Sequence, residues 1–263
     1  MSDVYTRCRA AVTKAKDRGK KVTGLTIHGE TFSLTFKDKP MPQRFAPWAY
    51  SKIKAFETCP KQFYHMRIAK TYTEPESDHL LYGNEFHKAA ELYVPDKEDL
   101  PKKFDFARPV LDSLKALPGE KHFELKLGLT EDLEPCGFFD KNVWWRGVVD
   151  LLIIDGDRAR VVDYKTGKSA RYADKGQLEL MAMATFKHYP QIKKVQGALL
   201  FVVANDMIRE AYLQEAQTDL WSDWLKRYTA ADKAVRANVF NPRPSGLCRQ
   251  HCLVLECPHN GRS

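Results

Sequence analysis

The stretch "RGVVDLLIIDGDRARVVDYKTGK", residues 146–168, has the pattern of two β-strands joined by a turn at "DGDR". Side chains alternate between faces along a strand, so Asp163 and Lys165 are expected on one face and Val162 and Tyr164 on the other. Two opposite charges on one face of a largely apolar strand are costly unless they are paired or used. The stretch therefore predicts a β-hairpin that carries a polar site.

The turn determines which residues face each other across this hairpin. A two-residue turn at Gly156 and Asp157 places Asp150 directly opposite Asp163, at about 5 Å, where like charges are destabilising. A hard divalent cation takes oxygen ligands and would neutralise the repulsion. Such an ion can polarise a phosphate and activate water, and Lys165 could orient that water or balance charge on the phosphate. Spacing alone favours the alternative, a surface hairpin with an ordinary Asp163–Lys165 salt bridge.

Length and composition limit the class of protein. The chain has 263 residues, of which 43% are hydrophobic, and this suits one sizeable α/β domain with or without an appendage. No apolar run approaches the length of a membrane span, and the first residues lack an apolar signal core. We therefore expect no membrane association and a location in the cytoplasm of a bacterial or phage-infected cell. The net charge of +8 suits a polyanionic partner such as nucleic acid.

The order of predicted elements indicates two domains. Residues 1–47 are expected to form a small appendage of one helix and one hairpin that ends in a proline-containing linker. Residues 48–263 are expected to form an α/β domain with a mixed central sheet flanked by helices. Its helices are predicted at 51–69 with a break at Pro60, 79–94, 100–117, 174–189 and 219–239, and its further strands at 121–129, 195–203 and 207–214.

Four motifs in this domain resemble the PD-(D/E)XK nuclease superfamily, specifically its RecB-like branch. The G-x-x-D motif falls on residues 147–150 and the D-Y-K-T-G motif on residues 163–167. Upstream, residues 83–87 read "GNEFH" and match G-x-x-x-H. Downstream, the Q-x-x-x-Y motif begins at Gln177 but has Met181 in place of its tyrosine. This departure puts in doubt any part that the tyrosine plays in holding DNA.

The resemblance covers residues 51 to 263 and implies a restriction-endonuclease-like core with a metal centre. It implies that a catalytic Mg²⁺ or Mn²⁺ is bound by His87, Asp150, Asp163 and the backbone carbonyl of Tyr164. It further implies that Lys165 positions the attacking water and that Gln177 orients Lys165 or the substrate phosphate. Glu124, in "HFELKL", is a further candidate near the metal, whereas Glu91 is expected to be a solvated helix charge.

Three cysteines crowd the end of the chain, and a chain of this length without a signal peptide does not suit a disulfide framework. RecB-like nucleases of the iron–sulfur type, such as the AddB subunit and CRISPR-associated exonucleases, hold a [4Fe–4S] cluster with one early and three late cysteines. The resemblance implies such a knot here, with the ligands Cys59, Cys248, Cys252 and Cys257. Their late triplet commonly reads C-x2-C-x5-C, whereas here it reads C-x3-C-x4-C. This leaves Zn²⁺ as an alternative, with His251 or His259 replacing one cysteine.

The resemblance implies a metal-dependent DNA nuclease, and we expect an exonuclease acting on single-stranded DNA or DNA ends. Recombination, repair, and phage or CRISPR DNA processing are the expected settings. No G-x-x-x-x-G-K-[ST] motif is present, so any unwinding would come from a partner helicase or recombination protein. The alternative is a catalytically silent DNA-binding module with a structural iron–sulfur or zinc site. The intact Asp150, Asp163 and Lys165 argue against that alternative. The oligomeric state is not predicted.

Overall fold

The N-terminal segment forms the helix and the hairpin that the sequence predicts. Helix α1 (Ser2–Asp17) precedes strands β1 (Val22–His28) and β2 (Thr31–Phe36), which pair antiparallel in a sheet of their own. The predicted linker falls largely outside the described residues, so the division into two domains stays a prediction. The computed structural model describes residues 2–17, 22–28, 31–36, 44–73, 77–171 and 173–261.

The rest of the chain is built on a six-stranded mixed sheet, which confirms the predicted α/β class. The strand order is β4-β3-β5-β6-β7-β8, with β6 and β7 parallel and every other neighbouring pair antiparallel. The strands are β3 (Glu120–Leu129), β4 (Pro135–Cys136), β5 (Trp145–Asp155), β6 (Arg158–Lys165), β7 (Lys194–Phe201) and β8 (Asp206–Leu213).

Helix α6 (Gly176–His188) makes the crossover that the parallel pair β6 and β7 requires. Its residues from Leu178 to Phe186 are buried apart from Glu179, as expected of a helix that is apolar on nearly all sides. Helix α7 (Gln217–Ala237) packs on α6, and both lie on one face of the sheet. This layer holds one side of the sheet and brings the first turn of α6 to the end of β6.

The other helices complete the two layers. Helix α2 (Tyr50–Thr58) joins the layer of α6 and α7, and the predicted break comes at Cys59, which is extended between α2 and the short helix α3 (Pro60–Phe63). A single π-helical turn follows α3. Helix α4 (Asp78–Tyr93) and helix α5 (Arg108–Ala116), with a 3₁₀ turn before α5, cover the opposite face.

Two apolar clusters fill the space between the sheet and these layers. Strand β6 contributes Ala159 and Val161 to the cluster under α6 and α7, and Val162 and Tyr164 to the cluster under α4 and α5. This is the alternation that the sequence predicts for a strand buried on both faces. Within the described residues, no helix has both the length and the apolar character that crossing a bilayer requires.

The β5–β6 hairpin has the predicted register. Leu151 pairs with Val162 and Asp155 pairs with Arg158, so the connecting turn has two residues. Gly156 adopts a φ of 61°, a conformation that glycine accepts without steric cost. Asp150 and Asp163 lie directly beyond the Leu151–Val162 pair, at the end of the hairpin farthest from the turn.

Candidate active site

A cavity of about 850 Å³ opens where α4 and α6 approach the ends of β5 and β6. The residues that the sequence predicts for the metal and catalytic site all line it. With the further candidate Glu124, five different elements supply the site, so it depends on the packing of both helical layers against the sheet. The lining includes His87 from α4, Glu124 from β3, Asp150 from β5, Asp163, Tyr164 and Lys165 from β6, and Gln177 from α6.

The most compact group of metal donors in the described part of the chain comprises His87, Glu124 and Asp150. One ligand atom from each residue lies within 4.8 Å of the other two. Nδ1 of His87 lies 3.2 Å from Oδ2 of Asp150, and the backbone N–H of Tyr164 donates to the same oxygen at 2.8 Å. Two carboxylates and one imidazole provide the hard oxygen and nitrogen donors that suit Mg²⁺ or Mn²⁺, so the donor set fits the expected ion.

Asp163, Lys165 and Gln177 form a closed polar network beside this donor group. Nζ of Lys165 lies 2.5 Å from Oδ2 of Asp163 and donates to Oε1 of Gln177 at 3.1 Å. Nε2 of Gln177 donates to Oδ1 of Asp163 at 2.6 Å. A lysine can only donate and a carboxylate can only accept, so the two neighbours fix the orientation of the amide. The side chain of Asp163 is only 4% exposed, which excludes the surface salt bridge that spacing alone favoured.

The two aspartates meet the predicted arrangement only in part. Asp163 takes its amide partner from α6, whereas Asp150 faces His87 of α4, on the opposite side of the sheet. The described β5–β6 ladder runs only from Leu151–Val162 to Asp155–Arg158, so beyond it the side chain of Asp150 can turn toward α4. The two carboxylates still influence each other electrostatically, but the compact donor group contains Glu124 rather than Asp163.

Glu124 occupies a strained position in β3. Its φ of 47° lies in the left-handed region, which costs a residue with a Cβ roughly 1–2 kcal/mol. Phe123 and Leu125 on either side keep regular pairs with Leu151 and Val149 of β5. The sequence signal for Glu124 was weak, because a single acid in an alternating strand is ordinary. Strain of this kind, held by regular neighbours, is typical of functional positions.

The electrostatics of the site indicate an excess of negative charge. Burial and the charge of Asp150 raise the pKa of Asp163 to about 6, against the lowering effect of Lys165. Burial, followed by the charge of Asp150, also raises the pKa of Glu124. Burial alone would lower the pKa of His87, but its hydrogen bond to Asp150 and the surrounding carboxylates raise it. A divalent cation among these groups would stabilise their ionised forms.

The motif glycines permit the close approach of elements around the cavity. A Cβ on Gly147 would lie 2.8 Å from Cη2 of Trp145, and a Cβ on Gly83 would lie 3.3 Å from Oγ1 of Thr166. Met181, in the place of the motif tyrosine, is buried in the core under α6 and lines the cavity. Glu91 also lines the cavity and forms a 2.9 Å ion pair with Lys88.

The four cysteines of the predicted knot are near enough for Cys59, Cys248 and Cys257 to influence the charge of Cys252. The backbone N–H of Arg243 donates to Sγ of Cys59 at 3.4 Å, and that of Ser245 donates to Sγ of Cys248 at 3.3 Å. Burial raises the pKa of the Cys252 thiol, and the other three cysteines add to that rise. Backbone N–H groups that donate to Cys59 and Cys248 would stabilise the thiolate form of these two sulfurs.

The final turns of the chain hold these cysteines against the segment around Cys59. The buried amide of Asn260 donates to the carbonyl oxygens of Cys252 and Val254 at 3.2 and 2.9 Å. The hydroxyl of Tyr72, which follows α3, donates to Glu256. The cysteine knot and its metal stay a prediction. Cys8 and Cys136, which are not part of the predicted knot, form no disulfide within the described residues.

The comparisons with known proteins identify a family. A sequence profile of the PD-(D/E)XK nuclease superfamily matches residues 47–257, which is most of the chain. No curated protein sequence matches the chain.

Two solved structures are similar in part. A Eubacterium rectale protein, provisionally named an exonuclease, has 13% identity and a TM-score of 0.49 over 82% of this chain and 90% of its own. The protein SSO0001 has 12% identity and a TM-score of 0.39 over 79% and 85%. These scores carry no argument about activity, whereas the profile covers both helical layers, the sheet and every residue of the cavity named above. The chain belongs to the PD-(D/E)XK nuclease superfamily.

Proposed function

We propose that this chain is a metal-dependent deoxyribonuclease of the RecB-like branch, acting as an exonuclease on single-stranded DNA or DNA ends. The observation that carries the proposal is the convergence of His87, Glu124 and Asp150 within 4.8 Å, beside a lysine held by a buried aspartate. A non-catalytic DNA-binding surface has no need of these costly groups. The net charge of +8 suits a polyanionic substrate.

In this proposal Mg²⁺ or Mn²⁺ is held by His87, Glu124 and Asp150, with Asp163 and the carbonyl of Tyr164 as further ligands. The bound ion would polarise the scissile phosphate and lower the pKa of a water molecule. The water oxygen would form the new bond to phosphorus and release one proton to solvent, while the bond to the leaving oxygen breaks and solvent supplies one proton to that oxygen. Recombination, repair, or phage or CRISPR processing are the settings proposed for this reaction, with a helicase partner where unwinding is needed.

Lys165 is the cation that this chain itself brings to the reaction. Its Nζ is 2.5 Å from Asp163 and its side chain is 34% exposed, so it can reach a phosphate oxygen or a water in the cavity. Gln177 holds Nζ from one side while Asp163 holds it from the other. We propose that Lys165 orients the attacking water and balances charge on the phosphate, and that Gln177 is a positioning residue.

The cysteine knot is proposed to hold a [4Fe–4S] cluster that joins the C-terminal turns to Cys59. The backbone N–H groups aimed at Cys59 and Cys248 support a thiolate-bound group. Zinc, with His251 or His259 as a ligand, is the other outcome of the test. Anaerobically purified protein is expected to contain iron and acid-labile sulfide in equal amounts and to absorb broadly in the visible range. Zinc without iron would refute the cluster.

The nuclease proposal is tested by incubating the protein with Mn²⁺ and single-stranded DNA that is labelled at one end or closed into a circle. Wild-type protein is expected to degrade the linear strand and leave the circle intact. Asp163→Ala and Lys165→Ala are expected to lose this activity. Lys226→Ala is the matched control, because Lys226 pairs with Asp223 in an exposed aspartate–lysine pair on α7, 2.8 Å apart.

Each outcome has a definite reading. Binding without cleavage by the wild type would replace the nuclease with the DNA-binding module. Cleavage that survives both Asp163→Ala and Lys165→Ala would refute the assignment of the site. Cleavage of the circle would refute strict exonuclease action while leaving the metal-dependent chemistry in place.

A further inference from the structure

Two adjacent aromatic rings lie at the edge of the active-site cavity. Phe138 lines the cavity, and its ring centroid is 4.9 Å from that of Phe139 at an interplanar angle of 74°. Phe139 itself is 75% exposed, the most exposed of the large hydrophobic side chains in the described residues. An aromatic ring this exposed is not explained by packing in the core.

The loop that presents these rings is closed by hydrogen bonds of its own. The backbone N–H of Gly137 donates to Oδ2 of Asp140 at 2.7 Å, and that of Asp140 donates to the carbonyl oxygen of Gly137 at 3.0 Å. At the other end of the loop, the backbone N–H of Val143 donates to the carbonyl oxygen of Asp140 at 3.1 Å. A Cβ on Gly137 would lie 2.6 Å from Oδ1 of Asp140, so this closure depends on glycine. The exposed ring is therefore held in place by the backbone beneath it.

Two cations lie over these rings. The guanidinium of Arg146 is 5.0 Å from the ring centroid of Phe138, and Nζ of Lys126 is 5.6 Å from that of Phe139. Neither side chain has a carboxylate within ion-pair distance in the part of the chain that the structure describes. Cations that contact aromatic rings and lack acidic partners can bind phosphate groups next to stacked bases.

Strand β3 connects this surface to the metal donors. Glu124, Lys126 and Gly128 lie two residues apart along β3, and Gly128 pairs with Arg146 of β5 and Cys136 of β4. The strand rises about 3.4 Å per residue, so the backbone positions of Lys126 and Gly128 lie roughly 7 and 14 Å along β3 from that of Glu124. A short piece of single strand can span this distance with one end in the cavity.

We infer that Phe138 and Phe139, with Arg146 and Lys126, form a stacking surface that binds unpaired bases of a single-stranded nucleic acid entering the cavity. The inference rests on the proposed function, narrows its substrate to unpaired strands and names the residues that contact their bases. Bases in a duplex are stacked on one another, so only an unpaired nucleotide can offer both its face to Phe139 and its phosphate to Lys126. Single strands are therefore held at the site where duplexes are not.

The test measures binding without cleavage. In EDTA, the affinity of a labelled single strand of about 16 nucleotides is compared for wild type, Phe139→Ala, Phe139→Leu and Phe139→Tyr. Loss of one stacked base predicts a Kd about fivefold or more higher for alanine and leucine, whereas tyrosine, which keeps the ring, is expected to bind within about twofold of wild type. Phe106→Ala is the matched control, because Phe106 is also exposed, at 49%, but does not line the cavity.

A second arm locates the stacked base. An abasic site is moved along the strand, and at one position it is expected to weaken wild-type binding as much as Phe139→Ala does, with no further loss when the two are combined. Lys126→Ala is expected to reduce the slope of log Kd against log salt by about one unit. Duplex of the same sequence is expected to show no dependence on Phe139.

Equal affinities for wild type and Phe139→Ala would overturn the inference, as would equal effects of Phe139→Ala on single strand and duplex. Failure of the nuclease proposal is separate from this, because it appears as the absence of cleavage in Mn²⁺. A protein that binds single strands through Phe139 but cleaves nothing would refute the nuclease and keep the stacking surface. If Phe139→Ala changes neither cleavage nor binding, the stacking surface is refuted and the nuclease proposal is kept.

Discussion

Replacing Gln177 with leucine would test the polar network that holds Lys165. Leucine keeps the approximate size of the side chain and removes both hydrogen bonds at once: the bond from Nε2 to Asp163 and the bond that Oε1 accepts from Lys165. The ion pair between Lys165 and Asp163 would remain. The substitution therefore changes the orientation of the lysine rather than the charge of the site.

The burial of the two partners determines the magnitude. Lys165 is 34% exposed and can replace its lost bond with water, whereas Asp163 is 4% exposed and loses a donor that water cannot easily replace. A hydrogen bond to a buried charged group contributes about 2 kcal/mol. We expect the free energy of unfolding to fall by about that amount. If the same bond holds Lys165 in place during the reaction, about 2 kcal/mol corresponds to a kcat roughly 30-fold lower with KM little changed.

Gln214→Leu is the matched control for this experiment. Gln214 also accepts from a lysine, Lys193, at 3.1 Å and donates to an oxygen, that of Pro190, at 2.9 Å, but it is half-buried and does not line the cavity. The measurements are kcat and KM for Mn²⁺-dependent cleavage of linear single strands, and urea unfolding in EDTA. Gln214→Leu is expected to leave kcat unchanged and to cost less than about 1 kcal/mol of stability.

The positioning argument would be refuted if Gln177→Leu lost stability but kept the wild-type kcat. In that case the network would support the fold alone. A rise in KM without a change in kcat would place Gln177 in contact with the substrate instead. A fall in kcat for Gln214→Leu of similar size would show that the effect comes from general loss of stability.

Three further predictions concern pH, metal and the knot. Burial alone would raise the pKa of Asp174, but hydrogen bonds from Lys54 and the N–H of Gly176 lower it to about 2, below its unfolded value. Its ionised form therefore stabilises the fold above about pH 4, and this stabilisation is lost as the pH falls through 2. In urea unfolding, Asp174→Asn should cost about 1 kcal/mol at pH 7, discounted for the 37% exposure of Asp174, and only a small fraction of that near pH 2. Mn²⁺ should raise the Tm of wild type and EDTA should stop cleavage, while Glu124→Gln should reduce the rise in Tm measured by scanning calorimetry. Cys59→Ser should lose the visible absorption and lower the Tm in EDTA, with cleavage by the folded fraction retained.

The parts of the fold that the sequence predicts well are those that local patterns determine. The β5–β6 hairpin depends on a two-residue turn at Gly156 and on apolar alternation, and its register is as predicted. The break before Pro60 follows from the missing N–H of proline and the clash of its ring in a helix. The convergence of His87 and Gln177 on the hairpin was predicted only through the family resemblance, since neither residue is close to it in sequence.

The parts that the sequence does not predict arise from departures from regular geometry. Asp150 turns toward α4, where an ideal hairpin would have placed it beside Asp163 on the side of α6. Glu124 enters the donor group through a left-handed backbone conformation in the middle of a strand. Regular strand geometry disfavours both the turned side chain of Asp150 and the left-handed backbone of Glu124. Tertiary packing overrides local preference at such positions. The exposed Phe139 was missed because the apolar pattern of a loop does not show which ring faces solvent.

The departures at Asp150 and Glu124 are informative because they place like charge and backbone strain together, which destabilises the protein unless a cation is present. The left-handed Glu124 is strained, and burial together with the charge of Asp150 raises the pKa of both Glu124 and Asp163. Apolar residues at these positions would make a more stable sheet, as they do along the rest of β5 and β6. A divalent ion would remove the repulsion and give each carboxylate a partner. Backbone strain, burial and like charge therefore coincide at one place, where a hard ion would offset their cost in stability. This is the physical reason to place the reaction at this end of the hairpin.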